Sequence, residues 1–119
     1  MDEFIRMALR TESLVDRPLA TGEMRLLHAG MGLATEAGEF LDALKKSIFY
    51  GKPMDLVNLR EELGDILWYM AIAMDELGTN FFDEQDRVIR KLRVRYPDKF
   101  NIVDANLRDL EGERRVLET

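Results

Sequence analysis

Apolar residues return along most of this chain every three or four positions, the spacing of one face of an α-helix. Few stretches alternate with the period of two that a half-buried strand needs, so a sheet is not expected. A first helix is predicted from about Asp2 to Ser13, ending before the Asp16-Arg17-Pro18 break. Thr21 or Gly22 caps a long second helix that reaches roughly Tyr50 and carries Leu26, Leu33, Phe40 and Leu44 as its stripe. Gly51-Lys52-Pro53 closes it. The third helix starts near Asp55 and stops at Gly78, a residue suited to the left-handed end of a helix. From Ile66 to Met74 it is apolar nearly all the way round, because Trp68 and Ile72 lie opposite the main stripe. A helix apolar on every side must be buried on every side, so this segment reads as a subunit interface. A fourth helix runs from about Phe82 to Arg95, with Pro97 enforcing its end. The expected architecture is all-α: a four-helix-bundle-like subunit over residues 1–100, assembling into a dimer or a dimer of dimers. Residues 101–119 are polar and charged and form a C-terminal arm, or a short helix within Asp104 to Leu117.

Composition narrows the chemistry. A chain of 119 residues fits one domain, and 46% hydrophobic residues can build a core. At this length much apolar surface still faces water, which again points to a partner subunit. Acids outnumber bases 23 to 17, for a formal charge of −6, which argues against a protein that coats nucleic acid. There is no cysteine, so disulfides, thiolate metal sites and cysteine nucleophiles are absent. The acidic start Met1-Asp2-Glu3-Phe4 does not resemble a signal peptide, and Ile66 to Met74 is too short to span a bilayer. A cytoplasmic protein without membrane attachment is expected.

The chemical signal is two acidic pairs, Glu36-Ala37-Gly38-Glu39 on the second helix and Glu62-Leu63-Gly64-Asp65 on the third. The i, i+3 spacing puts both carboxylates of a pair on one helix flank. Glu36 and Glu39 stand at about 60° and 120° from Leu33 around the helix axis, and Glu62 and Asp65 at about 100° and 160° from Leu63. Ala29, Gly32 and Ala43 share the flank of the first pair and leave room beside it. If the two helices form an antiparallel hairpin, four carboxylates converge, and like charges at close range resist joint ionisation. Hard divalent cations with oxygen ligands remove that conflict, and with one histidine and no cysteine Mg²⁺ is favoured, with Mn²⁺ as the alternative. The plainer reading is a solvated helix face, to which either pair alone could belong. A carboxylate-bridged di-iron bundle wants Glu-x-x-His on two helices, and this chain has none.

Glu-x-x-Glu, twenty-two residues, then Glu-x-x-Asp resembles the MazG-like family of all-α NTP pyrophosphohydrolases. Gly32 to Leu41 is similar to its first motif, Glu61 to Tyr69 to its second, and Lys91 to Phe100 to the segment that closes its nucleotide site. The resemblance runs from about His28 to Phe100 and extends weakly toward Arg108-Asp109-Leu110-Glu111. It implies Mg²⁺ ligation by Glu36, Glu39, Glu62 and Asp65, and attack of water on the α-phosphorus of an NTP or dNTP with pyrophosphate leaving. Glu39 is the candidate that orients or deprotonates the water. The family also implies a homodimer or homotetramer, in agreement with the apolar third helix.

Lys91 and Arg95 share one face near the end of the fourth helix, where they would grip phosphates, or simply complement the helix dipole. Tyr96 contacts sugar or phosphate, or packs on the bundle. His28, two turns before Glu36, touches base or sugar, or has a structural role. Trp68 and the seven methionines read as core or interface. Phosphoribosyl-ATP pyrophosphatase and dimeric dUTPase remain secondary alternatives, and a non-catalytic Mg-nucleotide-binding or helical oligomerisation module is the competing class.

Overall fold

The computed structural model describes residues 2–119, which form six α-helices and no strand. The all-α expectation holds. α1 spans Glu3–Leu9 and is capped by the Asp2 carboxylate, which accepts from the Phe4 N–H at 2.8 Å. It stops four residues short of the expected Ser13, because Thr11 folds back and donates both its N–H and its hydroxyl to the Ala8 carbonyl. Short hydroxyl side chains compete with the helix in this way wherever packing does not oppose them.

α2 covers Thr21–Ile48 and α3 covers Leu56–Leu77. At the start of α2 the cap is supplied by Glu23, which accepts the Ala20 N–H at 3.0 Å and holds Arg17 with both oxygens. Gly51, at φ +71°, turns the chain after α2, and the Lys52 N–H reaches back to the Lys46 carbonyl at 3.1 Å. Asp55 then caps α3 by accepting from the Asn58 N–H at 3.1 Å. Gly78 ends α3 in the left-handed conformation at φ 69°, and the Thr79 N–H closes on the Met74 carbonyl at 2.9 Å.

These two helices pack along each other as an antiparallel hairpin. Arg25 near the start of α2 bonds to Asp75 at 2.6 Å and Glu76 at 2.8 Å near the end of α3, which fixes the register. Close approach is possible because Ala29 and Gly32 are the buried α2 residues at the seam. A Cβ on Gly32 would overlap the Tyr69 ring. Glycine inside a helix costs about 1 kcal/mol relative to alanine; here it is the space that seats an α3 aromatic.

α4 covers Phe81–Arg95, capped by Asn80, which accepts from the Asp83 N–H at 3.0 Å. The tail folds as two short helices, α5 over Ile102–Asn106 and α6 over Leu110–Leu117, and α6 packs against α4. The chain thus consists chiefly of two helix pairs, α2 with α3 and α4 with α6. Its own core is thin: among the described residues Ala29 is the one buried hydrophobic side chain, while Trp68 of α3 stays 58% exposed. A compact protein of 13.8 kDa exposes about 6,600 Å², and this chain exposes 9642 Å². Its radius of gyration is 19.9 Å, against about 13.5 Å for a compact domain of this length. No helix among the described residues is long and apolar enough to cross a membrane.

Candidate metal centre

The hairpin brings acids from both helices together. Glu36 of α2 and Glu62 and Asp65 of α3 each offer a carboxylate oxygen, and the three oxygens lie within 4.8 Å of one another. The convergence follows from the local helices: the i, i+3 acids of α3 point to the seam, and the Gly32–Tyr69 contact one turn before Glu36 sets how near α2 can come. Glu62 is 5% exposed, so the helix pair has removed a carboxylate almost wholly from water. One oxygen of Glu36 and one of Glu62 are buried with no hydrogen-bond partner in the protein. Buried oxygens of this kind are costly unless a proton or a cation meets them.

The electrostatics of Glu62 carry the same message. Its pKa is pushed up to about 7, first by its hydrogen bond with the Glu36 carboxyl, then by burial, then by the charges of Glu39, Glu36 and Asp65. A carboxyl that keeps its proton near neutrality marks a site where negative charge has no protein counterpart. With oxygen donors only, the site fits a hard divalent cation and does not fit a soft one. Glu36, Glu62 and Asp65 are the residues that could hold it.

Glu39 stands one turn beyond Glu36 and is not in the tight group of three, although its charge acts on Glu62. It lines, with Glu62, a cleft of about 480 Å³ that runs from the carboxylates to the turn between α2 and α3. Asp42, Lys46, Lys52 and Asp55 complete much of its wall.

The other expected contacts lie elsewhere. Lys91, Arg95 and Tyr96 belong to α4 and its end, and none of them lines this cleft. Arg95 donates through Nε and Nη2 to one oxygen of Glu113 in α6, at 3.0 and 2.7 Å. Glu113 is 3% exposed and also accepts from Arg108. The two guanidinium groups, Arg108 foremost, hold its carboxyl below the usual range in spite of burial. Tyr96 lies beside Phe100, with ring centres 5.3 Å apart, and beneath the Arg95 guanidinium. His28 meets the edge of Tyr69 at 5.8 Å, so it shares with Gly32 the ring that spaces the two helices.

Two features escape a reading of the sequence. The Arg95–Glu113–Arg108 cluster joins residues eighteen and five positions apart, and nothing in a polar tail singles out Glu113. Lys52 sits in a turn that advertises itself only as glycine and proline punctuation. The small-residue flank of α2 was legible, but not the ring that fills it.

A family model described as the MazG nucleotide pyrophosphohydrolase domain matches residues 27–100. No curated protein and no solved structure matches the chain.

Proposed function

The chain belongs to the MazG nucleotide pyrophosphohydrolase family, and from that premise we propose that it converts an NTP or dNTP to the monophosphate and pyrophosphate with Mg²⁺. The observation that carries the reading is the pair of unpartnered buried oxygens on Glu36 and Glu62, with Asp65 beside them. A structural cluster of acids gains nothing from such an arrangement, whereas a site that takes up a divalent cation with a triphosphate needs it.

Glu36, Glu62 and Asp65, with Glu39 at the edge of the cleft, are the proposed ligands. A divalent ion held by these residues would supply Lewis-acid chemistry, drawing charge from the phosphate oxygens. Glu39, which faces the open cleft, orients the attacking water and accepts its proton. The water oxygen forms a bond to the α-phosphorus, and the bond from that phosphorus to the bridging oxygen breaks. The electron pair leaves with pyrophosphate. Lys91 and Arg95 are proposed to hold phosphate oxygens, with the Arg95 fork kept in one orientation by Glu113. Tyr96 and His28 are proposed contacts to the nucleoside.

We further propose that the working unit is a homodimer or a larger homo-oligomer. The chain exposes about 3,000 Å² more than a compact protein of its mass. Surface of that extent on each subunit suits an obligate interface, and the exposed Leu63, Leu67 and Trp68 of α3 are the residues it would cover.

The test is product analysis with a panel of NTPs and dNTPs, with and without Mg²⁺. Metal-dependent release of monophosphate and pyrophosphate is expected. Release of orthophosphate and a diphosphate would place the cleavage at a different bond. Binding without turnover across the panel would favour a nucleotide-sensing module instead.

A further inference from the structure

The cleft that opens from the carboxylates is rich in acids: Glu39, Asp42, Asp55 and Glu62 all line it. At about 480 Å³ it has the size of a small-molecule site. Glu62, which also lines it, has one buried oxygen with no partner in the protein. The cations that line the cleft, where an anionic ligand could find a counter-charge, are Lys46 and Lys52. Lys46 is already engaged: its ammonium lies 2.7 Å from Asp42, one helical turn back on α2. Lys52 makes no ion pair among the described residues.

The backbone places Lys52 with some care. Gly51 takes a positive φ of 71°, and the Lys52 N–H returns to the Lys46 carbonyl at 3.1 Å. Pro53 follows, which restricts Lys52 to extended conformations. Its stem therefore leaves from a defined point on the cleft wall, although the side chain itself is exposed. Lys91 and Arg95 of α4 do not line this cleft, so a contact made within it is separate from theirs.

We propose that Lys52 contacts the outer two phosphates of the substrate and retains the pyrophosphate product in this cleft. The inference rests on the pyrophosphohydrolase reading above and adds to it a phosphate contact from the turn between α2 and α3. A compact ammonium suits this task, since it meets phosphate as a point charge without demanding one geometry.

The experiment compares wild type, Lys52→Ala and Lys52→Arg by titration with inorganic pyrophosphate and, separately, with nucleoside monophosphate, in Mg²⁺ buffer. Steady-state kinetics on the preferred triphosphate accompany them. Lys52→Ala is expected to weaken pyrophosphate binding by about 10-fold or more and to raise KM, since one charge-assisted contact is lost. Monophosphate binding stays within about twofold, and Lys52→Arg recovers most of the loss. Unchanged pyrophosphate affinity in Lys52→Ala, with normal wild-type turnover, would overturn the role of Lys52 alone. Equal losses for pyrophosphate and monophosphate would overturn it too, by showing a general disturbance. A Lys52-dependent pyrophosphate site in a protein that hydrolyses nothing would uphold the contact and sink the pyrophosphohydrolase reading. If wild type neither binds pyrophosphate nor hydrolyses triphosphates, both fall.

Discussion

Glu62 combines three conditions rarely met by one carboxyl: it is 5% exposed, it lacks a partner for one oxygen, and three acids surround it. Its pKa in the folded chain is about 7, against 4.5 for the free side chain. Folding without metal therefore favours the protonated form. The stabilising contribution is complete below about 4.5 and is lost as pH rises through about 7. The melting temperature of metal-free protein should accordingly fall between pH 5 and pH 8, and Mg²⁺ should restore it most at the alkaline end. A melting temperature that does not change with pH in the metal-free protein would contradict this account. Glu62→Gln removes the titrating group, so it should flatten that profile while lowering turnover on the order of 100-fold or more. Gly32→Ala acts through shape rather than charge. Its Cβ meets the Tyr69 ring, so calorimetry should register a loss of about 1–3 kcal/mol, with a fall in activity as Glu36 is displaced. At this scale the i, i+3 spacing put Glu36 with Glu39 and Glu62 with Asp65 on one helix flank each, and the family resemblance, not the spacing, made all four candidate ligands. It could not rank Glu39 outside the tight group, since that depends on where two helices cross.

Helix ends were legible wherever a side chain or a glycine enforces them. Asp55, Gly78 and the Tyr96-Pro97 step bound α3 and the end of α4 close to where the sequence places them. α1 is shorter than its pattern because nothing packs against it strongly enough to hold the Thr11 turn in helical form. The tail is the larger difference. Its charged composition left the choice between an arm and a short helix open, yet α6 docks on α4 through a carboxylate that two arginines enclose. Removing that carboxylate strands two positive groups at a helix contact. Glu113→Ala is expected to lower the melting temperature by roughly 5 °C or more. Amide exchange should accelerate in α6 and the last turns of α4, while the α2–α3 hairpin stays protected. If exchange rises equally in all helices, the α4–α6 pair is not the separate unit described above. If Arg95 contacts phosphate, the same variant should also raise KM for triphosphate more than it lowers kcat.

For the molecule as a whole, the dominant fact is apolar surface left in water. Trp68 is 58% exposed and Leu67 51%, both in the segment from Ile66 to Met74 that has apolar residues on every side. Burial of such side chains contributes about 1.5–3 kcal/mol each. Sedimentation equilibrium is expected to give at least twice the 13.8 kDa of one chain. Leu67→Asp, which leaves the carboxylates untouched, should shift that mass toward the monomer and reduce stability in a concentration-dependent way. A wild-type mass of one chain at micromolar concentration would remove the basis for the oligomer.

Helical periodicity, end signals and the two acidic pairs are local properties, set by residues within a turn or two of each other, and the amino-acid order was sufficient to specify them. The family followed from the same local motifs, and residues 27–100 match it. Three things depended on the folded chain. The oxygens of Glu36 and Glu62 lost their water only when Gly32 let the Tyr69 ring in and the hairpin closed. Lys52 reached the acidic cleft only through the turn at Gly51. Glu113 found Arg95 only when α6 lay down on α4. Each is a contact between segments distant in sequence, or a loss of solvent caused by one. Desolvation and proximity are properties of packed elements, and they have no signature in the spacing of residues along a chain.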